Sequence, residues 1–253
     1  MSISVTQVEN TVRLCLPTPV GFGDELVQLM GDISDVCGRL REQDRLPMAV
    51  VLQCGSRDDP FFVCPPRSPG DCDRAAQAWG QATAAVADIE APTVAVMAGD
   101  AIGPAWELAL ACDLRIASTE AHVGSPEIRF GRVPAAGATQ RLPRIGRPGV
   151  ALELLLLGEI VTASRALDLG LVHRVAPPAE LDAALESLLE DLRRAAPIAS
   201  AYTKEAVHRG CELPLADGLR LEADLSALLQ TTADRAGGIS AFNERRAPRF
   251  DGR

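Results

Sequence analysis

The sequence predicts an α/β fold whose last third is helical. Three observations carry this expectation. Short apolar runs of strand length alternate with stretches of helical periodicity through the first 175 or so residues. Beyond Pro177 only the helical period survives. At 253 residues with 47% hydrophobic side chains, the chain has the material for one sizeable core and does not demand two independent domains.

The elements follow in order. Residues 3–8 and 11–16 alternate apolar and polar around Glu9-Asn10, which predicts an opening hairpin. From Asp24, a plausible helix cap, Leu26, Met30, Ile33, Cys37 and Leu40 recur at steps of three and four, the stripe of an amphipathic helix. Residues 48–52 form an apolar run suited to a buried strand. Residues 55–73, rich in Pro, Asp and Arg, read as a loop, with a helix following to about Ile89. Residues 93–98 form a second buried strand, 99–104 a Gly-containing turn and 105–111 a helix, a unit that often builds sites. Residues 114–118 give a third strand and 171–175 a fourth. Leu181, Leu185, Leu188 and Leu192 then make one helical stripe, and Leu221, Leu225, Leu228 and Leu229 another. The sequence shows no internal repeat and no low-complexity segment.

Composition excludes several classes. No run of 18 apolar residues exists, so a membrane span is not expected. Residues 1–9 lack the basic and apolar regions of a signal peptide, and a cytoplasmic location is expected. Seven cysteines without paired spacing predict free thiols and no metal centre. A net charge of -9 disfavours nucleic acid, because phosphates are repelled at long range. His122, His173 and His208 share no spacing that suggests a nucleophilic triad.

Two carboxylates stand out. Glu107 lies just inside the helix after the 99–104 turn, and Glu127 lies in a loop after another short strand, 20 residues on. A helix, a return strand and a loop fit in that interval, and paired carboxylates in one cleft can divide the work of acid and base. Spacing alone also allows a helix-terminal charge and a solvated loop charge.

The run 94–99 (VAVMAG), followed by 107–117 (ELALACDLRIA), resembles the crotonase signature. Residues 124–127 (GSPE) resemble that family's FGxPE loop, and 134–144 (PAAGATQRLPR) its PGAGGTQRLPR segment. Matches continue through 203–206 and 241–246, so the resemblance covers roughly residues 48–250. It implies a crotonase (ClpP-like) fold of repeated ββα units over residues 1–195, with a helical region, 196–253, that mediates homotrimers or dimers of trimers. It also implies an acyl-CoA thioester as substrate, with coenzyme A arriving as part of that substrate and no permanently bound cofactor or metal. Glu107 and Glu127 match the family's two working glutamates, and Ala135 matches a position whose backbone orients water.

The same resemblance exposes a departure. The family stabilises the enolate with two backbone N–H groups in an oxyanion hole, and proline has no N–H to offer. One donor position, three residues before Glu107, is occupied by Pro104. The other falls on Pro66 when residues 62–67 are aligned with the family motif, or on Asp71 in a competing register. Arg67, with Arg57 and Arg74, is placed to supply positive charge for the coenzyme's phosphates, and Lys204 and Phe242 are further coenzyme-binding candidates across a subunit contact, by resemblance. The expected activity is a lyase reaction, addition or removal of water across a 2-enoyl-CoA. The alternatives are a crotonase-fold isomerase or decarboxylase of a biosynthetic pathway, and a catalytically impaired acyl-CoA-binding or partner subunit.

Overall fold

The computed structural model describes residues 3–17, 24–43, 45–54, 61–62 and 69–253, with side chains left aside at 54, 61–62 and 69–73. A hairpin, β1 (Ser4–Val8) and β2 (Thr11–Leu16), opens the chain and leads into helix α1 (Asp24–Arg41). Then come β3 (Ala49–Cys54), β4 (Phe61–Phe62) and α2 (Pro69–Ala87). The next unit is β5 (Thr93–Met97), β6 (Ala101–Ile102) and α3 (Pro104–Ala111). It is followed by β7 (Leu114–Ser118), β8 (His122–Gly124), a 3-10 turn (Glu127–Phe130) and α4 (Ala138–Ile145). Helix α5 (Pro148–Leu157), strand β9 (Ile160–Thr162), helix α6 (Ala163–Asp168) and β10 (Arg174–Ala176) lead to four helices. These are α7 (Leu181–Arg193), α8 (Pro197–Gly210), α9 (Leu215–Leu229) and α10 (Ala233–Asn243).

The strand pairings reveal the ββα repeat that residue identity hides. The first strand of each unit enters a six-stranded sheet of order β1-β2-β3-β5-β7-β10, and the second enters a four-stranded sheet of order β4-β6-β8-β9. Successive units therefore stack in parallel, β3 on β5 on β7 and β4 on β6 on β8, each shifted by one strand. Only the ends of the two sheets are antiparallel, at β1/β2 and β8/β9.

All five residues of β5 are buried, because the large sheet is covered on both faces. Ala95 and Met97 face a core shared with Leu26, Ile33, Trp79, Leu108 and Leu142. The alternate residues Val94 and Val96 face a second core, built with Leu185 and Leu189 of α7. Two details differ from the sequence reading. Helix α2 begins at Pro69, inside the expected loop, since proline is tolerated at the first turn of a helix. The fourth strand lies at Arg174–Ala176, because Leu171 and Val172 pack into the first core instead of extending a ladder.

Candidate active site

Strand β6 delivers the chain to Gly103, whose N–H donates to the Gly124 carbonyl at 2.7 Å and whose φ of 62° turns the chain sharply into α3. A side chain at 103 would also meet a carboxylate, since an added Cβ would lie 2.9 Å from Glu127 Oε1. Pro104 follows at the first helical position, where a missing N–H costs no intrahelical bond. One turn on, Glu107 is 2% exposed.

Glu107 is held from outside its own helix. Its Oε1 accepts the N–H of Ala136 at 2.9 Å and the N–H of Ala138 at 2.9 Å. Ala138 opens α4, so its N–H is one of the first-turn donors that a helix leaves unpaired, and the positive end of the helix faces the carboxylate. Gly137, with φ of 116°, sets the bend that aims both N–H groups at one oxygen. The carbonyl of Ala136 is pinned in turn by Thr83 Oγ1 at 2.9 Å and by Arg141 Nη1 at 2.7 Å. Burial pushes the Glu107 carboxyl above its ordinary pKa, opposed by the two N–H bonds and by the Arg141 and Arg132 charges.

Glu127 enters the same cavity from the 3-10 turn after β8. Its Oε2 is buried and has no hydrogen-bond partner among the described residues. Burial, reinforced by the Glu107 charge, pushes its carboxyl up to about 7. The two acids thus occupy one cavity in unlike settings, Glu107 held by two N–H groups of the next unit and Glu127 with one unpartnered oxygen, which is the arrangement that lets one hold while the other exchanges a proton.

The other sequence-predicted residues separate by location. Pro104 and Ala135 line the cavity. Pro66, Arg67 and Arg57 lie outside the described residues, and of Asp71 only the backbone, in the first turn of α2, is described. Within the single chain Lys204 does not line the cavity, and its expected role lay across a subunit contact. Its Nζ is 2.7 Å from Asp113 Oδ2 and 3.2 Å from the Ala91 carbonyl. Phe242, on α10, is 83% exposed and does not line the cavity in the single chain. The histidines serve elsewhere: His122 contacts Asp100, His208 contacts Asp113, and His173 Nδ1 accepts the Arg115 N–H.

The sequence reading missed Ala136 and Ala138 as the donors to Glu107, and it passed over Arg132, which also lines the cavity. Gly137 inside the PAAGAT run was the available signal, since a glycine just before a helix marks a bend with N–H groups pointing outward.

The stacked ββα spiral with its C-terminal helices is the fold of the crotonase superfamily. The profile of the enoyl-CoA hydratase/isomerase family matches residues 71–253, and the chain belongs to that family. It is 35% identical to the (E)-benzylidenesuccinyl-CoA hydratase of Thauera aromatica over 255 residues, covering 100% of both chains. It is 42% identical to the human mitochondrial enoyl-CoA hydratase domain-containing protein 2 over 172 residues, 66% of this chain and 59% of that protein. Among solved structures, an enoyl-CoA hydratase from Bacillus anthracis superposes with a TM-score of 0.91 at 28% identity, covering 100% of both chains.

Proposed function

We propose that the protein adds water across the double bond of a 2-enoyl-CoA thioester and catalyses the reverse elimination. The observation that carries this reading is the asymmetry of the two carboxylates in one cavity, Glu107 fixed by two N–H groups and Glu127 with an unpartnered oxygen and a pKa of about 7. In the hydration direction, ionised Glu107 accepts a proton from water as the oxygen bonds to Cβ. Protonated Glu127 delivers a proton to Cα as the double bond's electrons move there. One water is consumed, and the proton gained by Glu107 restores Glu127 through the shared cavity. A carboxyl near 7 is suited to both directions at neutral pH. Coenzyme A enters as part of the substrate.

The negative charge that develops on the thioester oxygen needs a donor. Pro104 supplies none, and α3 meets the cavity through its N-terminal end, where the N–H groups of Ala105 and Trp106 precede the first intrahelical bond, from Glu107 to Gly103. Loss of one such donor typically costs on the order of 100-fold in rate or more. The same gap supports a second reading, isomerisation or decarboxylation, in which Glu127 alone handles the proton and charge falls elsewhere on the substrate. Exposed apolar side chains on α8 to α10, among them Val207, Leu219, Ile239 and Phe242, support assembly into a homotrimer or a dimer of trimers.

Crotonyl-CoA hydration by the wild type, Glu107→Ala and Glu127→Ala tests the proposal. Each variant is expected to lose at least about 100-fold in kcat. Equal trace rates in all three would remove the lyase reading and leave the isomerase or decarboxylase reading, or a non-catalytic acyl-CoA-binding subunit. Pro104→Gly, which restores an N–H at that position, is expected to raise kcat; an unchanged rate would show that the oxyanion donor lies elsewhere.

A further inference from the structure

The backbone places Arg132 beside Glu127 by a tight return. Gly131 adopts the left-handed conformation at φ 69°, and the Arg132 N–H closes back on the Glu127 carbonyl at 3.1 Å. The side chain that results is half-buried, and among the described residues it is the one cation lining the cavity that holds Glu107 and Glu127. Its charge lowers the pKa of both carboxyls, so its field reaches both acids. Arg132 and its neighbour Val133 also line a second, apolar groove, formed with Ile128, Pro143, Leu152 and Leu156. Arg132 therefore stands at the seam between the carboxylate cavity and this apolar groove.

An uncharged acyl chain running through such a seam gains nothing from a cation there. An acyl chain that carries its own carboxylate would be repelled by the two glutamates and by the overall charge of -9, unless a cation met it at that point. A planar guanidinium in a partly water-excluded wall is the group best suited to hold a carboxylate through paired hydrogen bonds. We propose that Arg132 receives a second carboxylate on the acyl group, so that the preferred substrates are enoyl-CoA monothioesters of dicarboxylic acids. The inference rests on the hydratase reading for the orientation of the acyl chain. On that reading Glu127 acts at Cα, and Arg132, carried by the same turn as Glu127, is among the described residues the cation that lines the same cavity.

Binding of a saturated, unreactive pair tests this without requiring turnover. Glutaryl-CoA and butyryl-CoA share the coenzyme and the chain up to the fourth acyl carbon, and glutaryl-CoA ends in a carboxylate. Calorimetric titration of the full-length wild type is expected to give a Kd about tenfold lower for glutaryl-CoA. Arg132→Gln is expected to abolish that ratio, and Arg132→Lys to retain part of it. If Arg132 only tunes the two glutamates, the substitutions shift both ligands together and the ratio stays constant, which overturns the proposal. Equal affinity in the wild type, or preference for butyryl-CoA, overturns it as well. The wild-type ratio requires no variant, so the outcome does not depend on how Arg132→Gln folds. Failure of crotonyl-CoA hydration would remove the hydratase reading, and the two ligand affinities would still report on the acid-binding claim.

Discussion

The two glutamates differ because their surroundings differ, and the difference has a thermodynamic signature. A carboxyl raised from 4.5 to about 7 holds its proton more tightly in the folded chain than in the unfolded one. Below pH 4.5 both states are protonated and folding is unaffected; as pH rises from there to about 7, stability falls, and it levels off above. Glu127→Gln removes the titrating group, so the variant is expected to gain on the wild type by up to about 3 kcal/mol at pH 8, and most of that gain should vanish at pH 5. Urea unfolding at the two pH values measures it. Gly103→Ala tests the neighbouring contact. A Cβ there meets Glu127 Oε1 at 2.9 Å on a backbone with positive φ, and a loss of about 1–3 kcal/mol in stability is expected together with a fall in kcat.

At the scale of elements, the site is a meeting of helix ends. The N-terminus of α3 carries Glu107, the N-terminus of α4 grips it, and Thr83 of α2 fixes the linking carbonyl. Thr83→Val keeps the volume of this 1% exposed side chain but leaves the Ala136 carbonyl short of one donor. It is expected to cost about 1–2 kcal/mol and to lower kcat with little change in KM, as steady-state kinetics and thermal unfolding would show. Strands such as β3 and β5 and helices such as α1 were legible in the sequence, since their apolar periods are local. Glu107 and Glu127 were legible through the motifs around them. Strand β9 and helices α4 to α6 went unread, because three-residue strands and helices of six to ten residues carry too little periodicity to register. The grip of Ala136 and Ala138 on Glu107 was hidden for a different reason: backbone N–H groups are offered by every residue type except proline, so no side chain advertises them.

Across the whole molecule, helix α8 is tied to the sheet through one acid. Asp113, next to β7, accepts the Thr93 N–H and hydroxyl at 2.8 Å, stands 2.7 Å from Lys204 Nζ and contacts His208 Nε2 at 2.9 Å. Burial pushes its carboxyl up, but the His208 and Lys204 contacts and the Thr93 N–H outweigh it, and the net shift is downward. A lowered carboxyl contributes stability above its ordinary 3.8 and loses it as pH falls through the lowered value. Asp113→Ala leaves Lys204, 10% exposed at its side chain, without its counter-charge, and is expected to cost about 3 kcal/mol at pH 7. The gap between variant and wild type should close only on acidification below about pH 3.8, which denaturant titration across that range would reveal.

The clasp on Glu107 spans 29 and 31 residues of chain, from one ββα unit to the next. A partly denatured chain that keeps its helices but lets neighbouring units drift apart would retain its circular dichroism in the far ultraviolet and lose its chemistry. Turnover would then serve as a gauge of tertiary docking, fading at lower urea than the helical signal does.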